Sequence, residues 1–539
     1  MRVFLLSLLL LGLCRGERPN LIFILTDDQR RDSLPIHGNT FVETPALDAL
    51  AAESLVFERA SVTSAICTPS RATYLLGQYE RRHAVNFNSG TAVSAAAWAK
   101  SYPVLLRDSG YFTGYIGKNH VPVGKRGYKT GLMEKSFDFW YAGHGQIKFY
   151  PKEQHEIFKG AAADTQVEIL TEAADSFLGG SAIEGAESFL TKRPQDQPFC
   201  LSICLNVPHG ASTSTMEMRP TDPALYRTKY RDKSASIPLP ETYVSKKLIQ
   251  KPKLPKNLLY TEFRQTIYDY ADSPDSLRER ILRQYQTITG IDLMVGQIRK
   301  RLTELGLAEN TIIVFSSDHG LMLGEHGLGG KALNYEPCLA VPLIIHDPRP
   351  GKKARLSDAL AQSIDIAPTL LDFAGVEIPD TMQGQSLVPI LIRERKQLRT
   401  VAFAENLWAN VFGNPRCESV RDHRYKYIRY FANSREPWRE KMANPKTIYK
   451  VTPEMRDLYL KWRTASLKGE KPVYEELFDL EEDPGEVVNL AADPAYTVTL
   501  SRLRKACQKG VERALQAGPA GSRGESGIVM LDLEQAESR

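Results

Sequence analysis

The chain has 539 residues, 42% of them apolar and 25% charged, a balance that excludes a wholly disordered or fibrous protein. That length exceeds one typical domain core and points to about two to four units. The 69 Lys and Arg side chains against 64 Asp and Glu leave a net charge of only +5, which argues against a nucleic-acid partner and is compatible with an anionic substrate.

The N-terminus reads Met1-Arg2-Val3-Phe4, followed by an apolar run to Leu13 and the small residue Gly16. A positive start, a short apolar core and a small residue form a secretory signal, here residues 1–16. The run is too short for a permanent membrane span, and no later segment is long, apolar and uncharged, so no membrane anchor is expected. The seven cysteines are Cys14, Cys67, Cys200, Cys204, Cys338, Cys417 and Cys507. The six beyond the signal are too few for a disulfide framework. Cys200 and Cys204, inside an apolar run, read as buried free thiols, and no Cys/His spacing fits zinc. The lack of any Asn-x-Ser/Thr sequon favours a bacterial periplasmic or secreted protein over a lysosomal one.

Leu21 to Leu25 is a short continuous apolar run ending in Thr26-Asp27-Asp28, the pattern of a strand buried on both faces. Thr44-Pro45-Ala46 opens a helix, with Thr as cap and Pro at the first position. Further strand-like runs cover 111–116, 199–207, 311–315 and 339–345, and amphipathic helices are predicted over 275–305 and 364–373. The alternation predicts an α/β fold over residues 17–393: a large, mostly parallel mixed sheet sandwiched by helices. Beyond 394 the pattern changes to shorter strands at 401–404, 425–431 and 475–479 and a helix at 496–515. This predicts a smaller C-terminal α+β domain over 394–517, an antiparallel sheet plus a helix, and a flexible tail over 518–539. The lysine-rich stretch 246–256, broken by Pro252 and Pro255, reads as a solvated linker, with a polyanion-contacting loop as the sharper alternative.

Several strands end in polar clusters: Asp27-Asp28, Lys118-x-His120, Pro208-His209 and Asp318-His319. Ligands of open α/β sheets sit beyond the carboxyl ends of strands, so these distant segments are expected to meet at one site. Cys67-Thr68-Pro69-Ser70-Arg71 joins them, because a helix N-terminus stabilises a nucleophile or an anion. Arg71, one turn on, is placed to face the same spot.

This segment resembles the signature of the formylglycine-dependent sulfatases of the alkaline-phosphatase-like superfamily, in which the Cys of Cys-x-Pro-Ser-Arg is oxidised to formylglycine. Leu76 stands where that family often has Thr. Asp27-Asp28 and Asp318-His319-Gly320 are similar to its two pairs of metal ligands, Gly117-Lys118-Asn119-His120 to its Gly-Lys-x-His element, and Pro208-His209 to its second catalytic histidine. Gly324-Glu325-His326-Gly327 with Lys331 is similar to the segment that ends in its second lysine. The resemblance spans residues 20–347 and a later Leu477-Phe478-Asp479-Leu480-x-x-Asp483-Pro484.

Three carboxylates are hard oxygen donors suited to Ca²⁺ or Mg²⁺, and the resemblance implies a sulfatase with one Ca²⁺ held by Asp27, Asp28, Asp318, His319 and the modified Cys67. It also implies Cys67, Arg71, Lys118, His120, His209 and Lys331 as catalytic groups. Hydrated formylglycine attacks sulfur and forms a covalent sulfo-enzyme, His209 assisted by Lys331 protonates the leaving alcohol, and His120 then deprotonates the second hydroxyl. Arg71, Lys118 and Lys331 supply positive field at the sulfate. The implied partners are a sulfated polysaccharide or oligosaccharide and a maturation enzyme acting on Cys67. His83, His144 and His326 either line a substrate pocket or have no role. The alternatives are a phosphoesterase or phosphonate hydrolase of the same superfamily, and an inactive homologue that binds sulfated glycans.

Overall fold

In the computed structural model, eight strands form one sheet: Asn20–Thr26 (β1), Leu55–Ser61 (β2), Phe112–Asn119 (β3), Phe139–His144 (β4), Phe199–Cys204 (β5), Thr311–Ser317 (β6), Leu343–His346 (β7) and Arg355–Gln362 (β8). Their order is β8-β2-β7-β6-β1-β5-β3-β4. All pairings are parallel except those of β7, which runs antiparallel to β2 and β6. The structure describes residues 18–144, 181–209, 228–245, 273–349, 354–408, 415–433, 451–516 and 527–533, with a few single positions and short pieces between 225 and 271. The expected signal and most of the lysine-rich stretch lie outside them.

β1 sits near the centre of the sheet because it has no polar face. Leu21, Phe23 and Leu25 pack into one core with Ile312 and Val314, whereas Ile22 and Ile24 pack into another with Ile313 and Phe315. Alternate residues of a strand point to opposite faces, so both faces must be covered. Pro45–Ala51 (α1) and the long Pro274–Glu304 (α3) cover the Ile22 face through Leu47, Leu50, Ile281, Ile288, Met294 and Val295. Cys67–Leu76 (α2) and Ile366–Phe373 (α4) cover the other through Ala72, Leu75, Leu370 and Leu371.

The C-terminal region holds the second sheet: Ala402–Asn406 (β9), Arg416–Arg421 (β10), Tyr425–Phe431 (β11) and Tyr474–Asp479 (β12), antiparallel and in sequence order. Thr497–Leu515 (α5) lies on it through Leu500, Leu503, Cys507, Val511 and Ala514, a helical stripe of one face. The remaining cysteines of the described chain are buried and unbridged, as expected of Cys200 and Cys204.

Four local expectations change. The run 339–345 is not one strand: Glu336–Leu339 is a short helix with Pro337 in its first turn, and the strand starts at Leu343. Thr44 makes no cap bond; its hydroxyl instead lies 3.3 Å from Asp48 Oδ1. Part of the 518–539 tail is held, because Ile528–Met530 pairs antiparallel with Thr91–Val93. Lys253, from the presumed solvated linker, lies over the Phe478 ring at 4.4 Å.

A buried ion cluster docks the second sheet on the first. Arg81, in the short helix Glu80–His83, donates from Nε to Glu405 Oε2 (2.9 Å) and from Nη2 to Glu418 Oε1 (2.7 Å), with all three side chains almost fully enclosed. Removing the guanidinium leaves buried Glu405 without its paired cation, while Glu418 keeps Arg429 at 2.6 Å. We expect Arg81→Leu to destabilise the protein by roughly 3–5 kcal/mol, read by denaturant unfolding; a loss below about 1 kcal/mol contradicts this docking role. Glu476 gives a pH signature. Tyr335 and Tyr430 donate to its Oε2 at 2.9 and 2.8 Å, and burial pushes its carboxyl up to about 7. An acid raised in the folded state stabilises below its unfolded value and loses that contribution as pH rises, here from about 4.5 to about 7. Glu476→Gln should therefore gain up to about 3 kcal/mol relative to wild type at pH 8 compared with pH 5; equal differences at both pH values would refute it.

Candidate active site

The carboxyl ends of β1, β5, β6 and β3 emerge side by side. β1 delivers Asp27 and Asp28, and β6 delivers Asp318 and His319. β3 carries Lys118 near its end with His120 just beyond, and His209 follows β5. Backbone bonds carry the ladder past the strands: Asp27 N donates to Val207 O (3.0 Å) and Asp318 N to Thr26 O (2.9 Å). The acids are thus fixed by main chain before any side chain acts. Asp28 is held at φ 60°, a left-handed conformation that costs a non-glycine residue roughly 1–3 kcal/mol. Cys67 is the first residue of α2, at the helix end where partial positive charge collects.

The side chains meet as follows. Lys331 Nζ donates to Cys67 Sγ (3.0 Å) and to Asp28 Oδ1 (2.8 Å). His319 Nε2 lies 3.3 Å from Cys67 Sγ, and Asp27 Oδ1 lies 3.7 Å from it. Arg71 donates from Nη2 to Asp27 Oδ2 and from Nε to Asp318 Oδ2, both at 2.8 Å. It also reaches the carbonyls of Leu205 (3.1 Å) and Lys118 (3.3 Å). Lys118 Nζ donates to Asp27 Oδ2. His209 Nε2 stands 3.9 Å from Asp28 Oδ2. His120 is buried, its ring edge-on to Phe87.

Arg71 joins the same cluster as Cys67, through Asp27, and its guanidinium is taken up by two carboxylates and two carbonyls. Sequence reasoning missed the partners that set these groups. Ser70, inside the Cys67 motif, donates to the Asp318 carbonyl, Ser317 Oγ accepts from Gln29 N (3.0 Å), and Tyr115 donates to Lys118 O (2.8 Å). Only Ser70 carried a signal, as part of the motif. His83 and His326 are not brought to the site. His83 sits 3.3 Å from the Thr73 hydroxyl and accepts from Val85 N (3.2 Å), and the His326 ring tilts against Tyr335. The side chain of His144 lies outside the described residues.

Burial alone would keep the carboxyls protonated. Against it, Lys118 and Arg71 hold Asp27 well below the usual carboxylate range, and Lys331 with His209 lowers Asp28. Asp318 goes the other way: burial and the neighbouring Asp27 raise it. Burial and Lys331 push His209 down to about 3. Burial would lower His319 too, but Asp318 holds it up to about 9.

One ligand atom each from Asp27, Asp28, Cys67 and His319 falls within 4.8 Å of the others, and Asp318 Oδ1 lies 3.6 Å from His319 Nε2. Carboxylate oxygens suit a hard divalent cation, whereas a thiol suits a softer one. Replacing the sulfur of residue 67 by oxygen turns the set into one dominated by hard donors. The residues therefore fit a calcium-like ion once Cys67 is oxidised.

A family model described as Sulfatase matches residues 19–376, and one described as N-sulphoglucosamine sulphohydrolase, C-terminal, matches residues 324–455. An N-acetylglucosamine-6-O-sulfatase of Bacteroides thetaiotaomicron is 29% identical over 70% of this chain and 72% of its own. The human N-sulphoglucosamine sulphohydrolase is 27% identical over 92% of this chain and 90% of its own. Among solved structures, a protein in complex with its substrate D-glucosamine-2-N,6-O-disulfate superposes with a TM-score of 0.63 at 23% identity, covering 92% of this chain and 98% of the other. A phosphonate monoester hydrolase from Silicibacter pomeroyi does so with a TM-score of 0.66, also at 23% identity, over 94% and 99%. With the first family model covering more than half of its length, the chain belongs to the sulfatase family and is a sulfuric ester hydrolase.

Proposed function

We propose that the chain hydrolyses sulfate esters of saccharides, with formylglycine at position 67 and Ca²⁺ held by Asp27, Asp28, Asp318 and His319. The observation that carries this reading is the convergence on one side chain: Lys331, His319 and Asp27 all face Cys67 Sγ at the start of α2. A calcium ion held by Asp27, Asp28, Asp318 and His319 would polarise the sulfate oxygens, and a hydrated aldehyde at position 67 would supply the accepting hydroxyl. Lys331 neutralises charge beside that hydroxyl. Arg71 and Lys118 act through Asp27 and Asp318: they are positioning residues that keep Asp27 ionised and hold both carboxylates in place. His209, across Asp28, is the acid for the leaving alcohol. It is neutral without substrate, and the negative charge of a bound sulfate offsets Lys331 and raises it toward its working range. His120 takes the proton of the second hydroxyl when sulfate leaves.

Cys67 is only 2% exposed. An enzyme that oxidises it must therefore reach the segment before the chain folds, which makes a maturation enzyme a partner of the unfolded chain. The signal-like residues 1–16 direct export, with a bacterial periplasmic or secreted location. The names of the two curated relatives point to sulfated glucosamine units of larger glycans as the substrates to try first.

The likeness to a phosphonate monoester hydrolase favours a second reading, phosphonate ester hydrolysis at the same site. Rates on aryl sulfate and phenylphosphonate esters with one leaving group separate the two. For the sulfatase reading, we expect Cys67→Ala to lower sulfate release from glucosamine 6-sulfate by at least about 10⁴-fold while the thermal midpoint stays close to wild type. Retained turnover would remove the nucleophile from position 67. Dialysis against a calcium chelator should abolish release, and added Ca²⁺ should restore it; a fully active metal-free preparation would rule out the metal assignment.

A further inference from the structure

A second site lies away from the catalytic centre. A cleft of about 910 Å³ opens between α5 and the region around β9 and β10. Its lining includes Arg502, Lys505, Lys509 and Arg513, the hydroxyl residues Thr400, Thr497 and Ser501, and an apolar floor of Tyr79, Phe403 and Val420, with no carboxylate. The four cations follow one another at three- and four-residue spacing, so they form one row along a helix face. All four are exposed. Arg502 pairs with Asp422 (2.7 Å) and Arg513 donates to Gln383 O (3.0 Å).

We propose that this cleft binds a stretch of sulfated polysaccharide remote from the sulfate being hydrolysed. This rests on the saccharide substrate reading above. The row of cations spans about 16 Å at the rise of an α-helix, with neighbours about 5–6 Å apart, close to the repeat of a sugar chain. A net charge of +5 over the whole chain makes the carboxylate-free lining a local feature and not the average of the surface. Tyr79 lies just beyond the C-terminal end of α2, and Cys67 is at its N-terminal end. Ten residues of helix separate the two sites by about 15 Å or more. Other polyanionic partners fit less well. The floor aromatics Tyr79 and Phe403 are buried and offer no face for stacking nucleobases. Val498 is the one strongly exposed large apolar side chain of the lining, too little to insert into a bilayer.

The test uses the full chain carrying Lys505→Ser and Lys509→Ser. Both lysines are exposed, so the fold is retained, as a thermal melt will verify. Binding of fluorescent dextran sulfate is measured by anisotropy at increasing salt, with unsulfated dextran, anionic phosphatidylglycerol vesicles and single-stranded DNA as comparisons. We expect affinity for dextran sulfate to fall about tenfold and the slope of log affinity against log salt to flatten by about 2. Turnover of monomeric glucosamine 6-sulfate should not change. Unchanged dextran sulfate binding overturns the proposal, as does a loss seen only for vesicles or only for DNA. Because the monosaccharide reaction is read separately, a wild-type protein that binds the polymer but releases no sulfate counts against the substrate reading and not against the cleft.

Discussion

Everything at the catalytic end of the sheet depends on housing three carboxylates without water, of which Asp27 and Asp28 are held ionised by neighbouring cations. Asp27, Asp28 and Asp318 are fully buried. Isolated charges in such a place cost several kcal/mol each even after relaxation. Arg71, Lys118 and Lys331 answer them by direct bonds. Three cations face three carboxylates, and His319 is itself held up to about 9, so a divalent cation bound among them would add to the positive charge. That positive charge is what an anionic ester needs to enter, and it explains why a chain of modest net charge suffices for an anionic substrate.

Arg71 and Cys67 sit on the same helix, one turn apart. Cys67 and the clamp on the acids therefore move as one body. Arg71 also reaches the carbonyls of Lys118, near the end of β3, and Leu205, just past β5, so α2 is tied to the strand ends at four points by a single side chain. Arg is suited to this because its planar fork presents fixed donors in several directions, which Lys does not. The same helix carries Ser70 to the Asp318 carbonyl. The motif around Cys67 thus combines a reactive residue with two structural fasteners.

Much of this was legible before any coordinates. The strand boundaries near Asp27, Asp318 and His209 are readable because buried parallel strands are continuous apolar runs that stop at polar clusters. Half-polar strands are not. β2 contains Glu58 and Arg59, and the first half of β8 alternates partly exposed and exposed residues before its buried half, so neither reads as a continuous apolar run. The antiparallel placement of β7 leaves no trace in its own sequence. At the site, residue types could be named but not their directions. The resemblance puts Arg71 at the sulfate, and helix spacing, which gives a face and not a partner, does not reveal the carboxylates it bonds. The Arg81 cluster was invisible because its carboxylates lie hundreds of residues away on β9 and β10. The basic row on α5 was not singled out from the sequence, because its cleft exists only once the second sheet is docked.

That docking reaches the site itself. Lys331 is followed by Ala332, held at φ 61° with its N–H on Ala65 O (2.8 Å), in the loop just before Cys67. Asn406 of β9 donates to Ala332 O (3.3 Å), and Asn334 donates to Ala404 O (3.3 Å) and to Ser419 Oγ (2.9 Å). Tyr335 continues the line to Glu476. The segment that presents Lys331 to Cys67 is therefore pinned between the nucleophile's own loop and the second sheet. A loop carrying a lysine next to a buried thiol would otherwise drift toward water, where the ammonium is best solvated. The C-terminal sheet supplies no group that touches Cys67 among the described residues, yet it fixes the geometry of one that does. On this reasoning the two regions form a single catalytic unit, and the boundary seen in the sequence near residue 394 separates strand patterns and not functions.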